Sequence, residues 1–390
     1  VFPDATWETA IPDSVSVDSA KLQEFQENVG GSGAVVRDGY MIYTWGTQNT
    51  HPSTGWSSVV KSMASTMMFF AINEGRIPGP YEPVRPYLQQ QFPGKDLIAK
   101  DAPMTFFHLA NYTSGYALPE APGQAWAHND YANKLYLFLV YGQLLGVNPK
   151  NAAEIAAAMT TESRWGPLQF QDGGIVTVRA GTPRWTASVR DTARVAWFWL
   201  NKGRWKDQQL LPQSLFDTYA HAQSGGIARS ASHKAHDYLP IGTMGPKDPN
   251  GIPVDTSFGF GWKFNLLPNG TLQFPHAPAD LFYCQGERDR FIVVVPSLNL
   301  IGLWRDGRDI FPAERPAVIT QLSNVISTPT PTPTPTATAT PTATATPRPT
   351  STPALSGLTY NGAAPFVNGT TLISGRSYTI TAQANATTQS

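Results

Sequence analysis

From Ser327 to Ala354 the chain reads STPTPTPTPTATATPTATATPRPTSTPA, and no packed element can be built from it. Proline fixes φ and removes a backbone donor, so its alternation with Thr forbids both a helix ladder and sheet pairing. The run is an extended, polyproline-like spacer. It divides the 390 residues into 1–326, long enough for a full domain, a tether over 327–354, and a C-terminal piece, 355–390. The tether holds eight of the 34 prolines, a total nearly twice the usual share. The last piece alternates around Tyr378, Ile380 and Ala382 and is rich in Gly, Thr and Asn. Its 36 residues are too few for a core of their own. The expectation is the first strands of a truncated β-module, with an unstructured end as the alternative.

Lys+Arg and Asp+Glu both number 28, and 14% of residues are charged. Arg348 and Arg376 are the only charges after residue 326, which leaves 26 basic and 28 acidic residues ahead of the tether. Such a balance excludes nucleic acid as a partner, since phosphate binding demands a basic surface. No run of 18 apolar residues is present, so no transmembrane segment is expected. A single cysteine, Cys284, excludes a disulfide within the chain and a cysteine-based metal cluster. A Thr/Pro tether is a habit of exported proteins. Export, with a leader removed ahead of Val1, and tethering to a cell surface through the C-terminal piece are therefore expectations.

Periodicity places the elements of 1–326. Asp18–Asn28 has a capping residue and apolar Leu22 and Phe25 at helical spacing. Gly33–Arg37 and Tyr40–Thr44 flank Asp38-Gly39, a turn pair that favours the mirror-type hairpin. Ser58–Asn73 is nearly all apolar or small and predicts a helix buried on every side. Further helices are predicted at Tyr131–Leu145, Ala152–Thr160, Ser188–Asn201 and Ala313–Ile326. Strand-like runs fall at Phe258–Leu267, Leu281–Gly286, Phe291–Pro296 and Leu300–Arg305. Sequential strands with short connections pair antiparallel. The predicted architecture is α/β of the α+β kind: an antiparallel sheet made from both chain ends, flanked by helices, with a helical subdomain inserted.

Ser58 and Lys61 stand three residues apart at the start of the buried helix, on one face and one turn from each other. A lysine is a poor base at its ordinary pKa near ~10.4. Desolvation at the foot of an apolar helix lowers that value, and a neutral amine then takes the serine proton. The helix N-terminus favours negative charge beside Ser58. A plain Ser-x-x-Lys is common by chance, and its bland reading is a capping serine followed by a solvated lysine. The apolar run from Met63 to Phe70 leaves that lysine little room at a surface.

SVVKSMASTMMFFAINEGRI, followed by a proline-rich turn and MTFFHLANYTSGY, resembles the serine β-lactamase-like hydrolases. These comprise class C β-lactamases, penicillin-binding carboxypeptidases, family VIII esterases and 6-aminohexanoate-dimer hydrolases. The resemblance covers about residues 5–326. Leu109–Gly115 looks like the family's Thr-Ser-Gly stretch, and Pro122-Gly123 like the pair preceding its second motif. Arg190-Asp191 with Trp197–Trp205 looks like its Asp-bearing helix, and Phe258–Trp262 like the aromatic-Gly run that opens the last strands. The resemblance implies the β-lactamase/transpeptidase-like fold and catalysis through an acyl-enzyme, with no cofactor.

Two motifs depart from the family pattern. The spacing from Pro122-Gly123 puts His128-Asn129-Asp130 where Tyr-x-Asn is expected, so His128 and Asp130 take those places. A literal Tyr-x-Asn follows at Tyr131–Asn133, and Tyr131 stays open as the alternative. A neutral imidazole accepts or relays a proton near pH 7, and a His128 relay predicts a pH limb near ~6.5. The third motif, Lys-Thr-Gly or a substitute, falls on the turn after Gly286, at Glu287-Arg288-Asp289. Backbone donors survive substitution, so an oxyanion hole from Ser58 and the strand near Arg290 is expected, with Gly286, Glu287 and Arg290 lining the site. A plain turn is the alternative. The family's Lys or Thr for a substrate carboxylate is missing, which favours simple esters over β-lactams.

Lesser candidates are Ser224-Gly225, a partial nucleophile elbow, His233 with His236, a metal pair lacking a third ligand, His276 in a turn, and glycosylation-like triplets at Asn111, Asn269, Asn368 and Asn385. The expected function is hydrolysis of a small-molecule ester or amide on Ser58, with Lys61 as base. A catalytically lost binding or scaffold module is the alternative.

Overall fold

A computed structural model describes residues 1–249, 251, 255–287 and 289–326, together with three short strands beyond them. In chain order the elements are α1 (Ser19–Val29), β1 (Ser32–Arg37), β2 (Tyr40–Trp45), α2 (Val60–Asn73), α3 (Arg85–Gln91), α4 (Phe106–Ala110), α5 (Asp130–Leu139) and α6 (Ala152–Met159). They continue with β3 (Val176–Arg179), β4 (Thr182–Trp185), α7 (Val189–Leu200), β5 (Arg204–Trp205), β6 (Gln208–Gln209) and α8 (Gln213–Tyr219). Then come β7 (Phe258–Gly259), β8 (Trp262–Phe264), β9 (Phe282–Gly286), β10 (Arg290–Val295), β11 (Leu300–Arg305) and α9 (Arg315–Ser323).

A seven-stranded antiparallel sheet runs β2-β1-β11-β10-β9-β8-β7, so strands from both chain ends do meet. Asp38 and Gly39 both have positive φ, 53° and 88°, as a mirror-type turn requires. Both faces of the sheet are covered. Ile292, Val294, Ile301 and Leu303 face the helical insertion, while Val293, Val295, Leu300 and Trp304 face α1 and α9. Alternate residues serve opposite cores, so β10 and β11 read as unbroken apolar runs.

α2 is buried from Val60 to Ala71. Its small polar residues have partners: Ser65 Oγ lies 2.9 Å from Tyr136 Oη, and Thr66 Oγ1 accepts from Trp199 Nε1 at 2.9 Å. Each apolar side chain removed from water on this helix contributes about 1.5–3 kcal/mol. The predicted helix from Tyr131 begins at Asp130, capped by Asn129, and passes into a π-helical turn over Val140–Leu144.

The predicted strand Phe258–Leu267 is instead a hairpin, β7 and β8, broken at Phe260 and Gly261, both with positive φ. A Cβ on Gly261 would stand 2.6 Å from Ser62 N, so α2 itself presses on the break. Within the insertion, β3 and β4 form a hairpin where no strand was predicted. In the C-terminal unit, β12 (Thr359–Tyr360) pairs antiparallel with β13 (Ala364–Pro365) and β14 (Ile380–Thr381). The tether lies outside the described residues.

Candidate active site

Ser58 stands in the single 3-10 turn Ser57–Val59 that leads into α2. Ser57 has φ 50°, a left-handed conformation uncommon for a side-chain-bearing residue and frequent at functional turns. The turn is held from two sides. Trp56 donates its indole N–H to Ala187 O and its amide to Trp185 O, both at 2.8 Å. Across from it, a Cβ on Gly286 would stand 2.3 Å from Trp56 O and 3.2 Å from Ser57 Cβ. Only glycine lets the end of β9 close on the serine turn.

Lys61 is 3% exposed, and its Nζ meets three neighbours. Ser58 Oγ and His128 Nε2 are each 3.1 Å away, and Asp130 Oδ1 is at 3.7 Å. Three ammonium hydrogens thus face three groups able to accept them. The ring of Tyr112 lies beneath, 5.4 Å from Nζ to its centroid. Burial pushes the Lys61 pKa down to about 8; Asp130 opposes the shift and Arg184 adds to it. Burial, then the Lys61 charge, pushes His128 down to about 3. His128 is therefore neutral and its Nε2 accepts from the Lys61 ammonium, which removes the ground for a limb from imidazole titration.

Asp130 begins α5, buried, and accepts from Asn133 Nδ2 at 2.9 Å. The register counted from Pro122-Gly123 thus brings His128 and Asp130 to Lys61. Tyr131 does not join them. It is half-buried against the core, and its hydroxyl makes no hydrogen bond to Ser58, Lys61 or His128 among the described residues. A helix turns each successive residue by about 100°, so Asp130 and Tyr131 diverge.

Of the third-motif residues, Gly286 touches the serine turn and Glu287 is exposed in the β9–β10 turn. Arg290, expected to line the site, is buried and turned aside. Its guanidinium donates to Thr54 Oγ1 at 2.7 Å, pairs with Asp306 at 2.8 Å and fixes the loop before Ser58. Arg288 lies outside the described residues. Next to Gly286, Gln285 accepts from Lys263 Nζ at 3.1 Å, and Lys263 pairs with Asp255 at 2.7 Å.

The remaining candidates have structural work or stand at the surface. Ser224 Oγ is buried and donates to Asp255 O at 2.5 Å, so it is no nucleophile. Asn111 is buried, accepting from Phe260 N at 2.9 Å, which removes it as a glycosylation acceptor. Exposed His233 pairs with Asp248, and His276 is exposed. Asn368 and Asn385 lie outside the described residues.

Sequence reasoning quoted Tyr112 without giving it a place and missed Lys263 and Arg184. Tyr112 stacks on Phe258, centroids 4.0 Å apart, and meets the His128 ring edge-on at 5.0 Å. It had a legible signal, standing inside the Thr-Ser-Gly stretch.

No family model and no curated protein matches the sequence. Solved structures do match in shape. A Bacillus anthracis protein described as a 6-aminohexanoate-dimer hydrolase superposes with TM-score 0.55 at 14% identity, over 81% of this chain and 86% of that one. A penicillin-binding-protein homologue from Caulobacter crescentus gives 0.53 at 13% identity, over 82% and 99%. A β-lactamase from Mycobacterium bovis gives 0.51 at 18%, over 79% and 96%. The fold is β-lactamase/transpeptidase-like.

Proposed function

We propose that the chain is a serine hydrolase that cleaves an ester or amide of a small substrate through an acyl-enzyme on Ser58. The carrying observation is Lys61 Nζ at 3.1 Å from Ser58 Oγ, in surroundings that hold its pKa down to about 8. Neutral Lys61 takes the Ser58 proton as Oγ bonds to the carbonyl carbon. The amide of Ser58 and the end of β9 face the oxyanion. The protonated lysine returns the proton to the departing alcohol or amine as the C–O or C–N bond breaks. Water then attacks the acyl carbon, Lys61 accepts its proton, and Ser58 leaves as the hydroxyl. With its pKa near 3, His128 is an acceptor that aims Lys61 rather than a carrier of protons. The family's Lys or Thr is absent from the third motif, which weighs against β-lactams held through that strand. Export rests on the Thr/Pro run, and finding the chain in the medium or on the cell surface of its producer tests it.

A fluorophosphonate probe and p-nitrophenyl esters test the chemistry together. Labelling at Ser58 and turnover, both abolished in Ser58→Ala, support the hydrolase. Turnover that survives in Ser58→Ala sinks it, and a folded protein that neither labels nor turns over is the binding module.

A further inference from the structure

Arg184 moves no proton and makes no bond in the chemistry above, yet the fold brings it close to the same residues. Alternation along β4 sends Trp185 into the core beside Trp165 and Phe170, and Arg184 to the opposite face. β4 is fastened to the serine turn through the Trp56–Trp185 hydrogen bond, and a Cβ on Gly55 would stand 3.3 Å from Arg184 Cβ. The guanidinium donates from Nη2 to Met244 O at 2.7 Å, and Met244 N in turn donates to Asp130 O at 3.3 Å. Arg184 is thereby stationed between the serine turn and the start of α5. Its charge is felt at Lys61, Asp130 and Glu287.

Among the described residues, three other cations around the nucleophile are paired. Lys61 has Asp130 at 3.7 Å, Lys263 has Asp255 at 2.7 Å, and Arg290 has Asp306 at 2.8 Å. Arg184 is half-buried with no carboxylate within 4.0 Å among the described residues. A guanidinium presents five donors in a planar fork that matches a carboxylate, and removal from water strengthens such a pair.

We propose that Arg184 is the anion anchor of the cleft, so that the substrates are esters or amides carrying a carboxylate a short chain away from the scissile carbonyl. This rests on the hydrolase reading and deepens it. In place of the family's third-motif Lys, the anchor comes from the inserted subdomain.

The test compares mono-p-nitrophenyl adipate with p-nitrophenyl hexanoate, acyl chains of equal length that differ by a terminal carboxylate. One charge-assisted hydrogen bond corresponds to a preference of about tenfold or more in kcat/KM for the adipate. Arg184→Gln, which keeps a donor for Met244 O without the charge, is expected to bring the ratio to about one, with KM carrying the change. Arg184→Lys is expected to keep part of the preference, and about 1 M salt to weaken it in the native protein. A native protein with no preference, or an Arg184→Gln protein that keeps it, overturns the anchor. Hexanoate turnover reports separately on the hydrolase. If the hexanoate is cleaved without preference, the anchor alone falls; if Ser58 neither labels nor cleaves either ester, both fall.

Discussion

The two walls of the cleft are built in opposite ways. On one, Ser58 and Lys61 are three residues apart on one turn of chain, and their meeting at 3.1 Å follows from helix geometry. On the other, His128 comes from the loop before α5, Asp130 from its first turn, Gly286 from the end of β9 and Arg184 from β4, segments that only the tertiary fold assembles. On the proposed mechanism, the local wall carries the reacting atoms. The assembled wall tunes them, through acceptors, charge and close approach. Chemistry is therefore concentrated in a short stretch of sequence, and control is dispersed.

If that division holds, substitutions on the local wall abolish turnover and those on the assembled wall shift it. The largest effect is expected from Lys61→Met, which removes the base and leaves buried Asp130 without its cation. We expect kcat/KM to fall by about a thousandfold or more. Stability should fall by about 3–5 kcal/mol, as when one partner of a buried pair is removed. Stopped assays on ester substrates and thermal melts check both. A Lys61→Met protein with near-native turnover breaks the comparison.

Asp130→Asn is a tuning change. Asp130 favours the charged form of Lys61, so its neutralisation lowers the lysine pKa further. The rate is expected to rise with pH as Lys61 loses its proton, through about 8 in the native protein. In Asp130→Asn this limb should move to lower pH, by about one pH unit. A pH–rate profile of kcat/KM reads the shift, and a limb that stays in place or moves upward contradicts the assignment. The smallest effect is expected from Tyr131→Phe, where the hydroxyl touches none of the site. Turnover and melting should stay close to native, within about 0.5 kcal/mol. A loss comparable to that of Lys61→Met would return Tyr131 to the chemistry.

The same contrast governs what the sequence discloses. The α2 run, the Asp38-Gly39 turn and the antiparallel order of the last strands are local patterns, and each is visible in composition and spacing. Counting from Pro122-Gly123 singled out His128 and Asp130, and the fold carries both to Lys61. Four things escaped. The break at Phe260-Gly261 arises where α2 presses on the strand, a contact some 200 positions away in sequence. β3 and β4 are four residues each, too short for the Val-Thr-Val-Arg alternation of β3 to stand out, and β4 carries Pro183. Arg290 sits beside the third motif but turns to Thr54 and Asp306, because a side chain's direction on a strand is set by its neighbours in the sheet. The depression of His128 depends on the lysine next to it in space, 67 residues earlier in the chain.

The surroundings of the Lys61 amine have a further consequence, one of polarity. When the ammonium gives up a proton it keeps two hydrogens and gains a lone pair, and the lone pair needs a donor to face. The carboxylate of Asp130 has no hydrogen to offer, and neither has the bare Nε2 of His128. Of the three contacts, the serine hydroxyl reverses its role by rotation about one bond, whereas His128 would have to move its proton between ring nitrogens. Deprotonation therefore turns the Ser58 hydrogen toward the amine without any rearrangement of side chains: the site aims its nucleophile by leaving the base a single direction in which to accept.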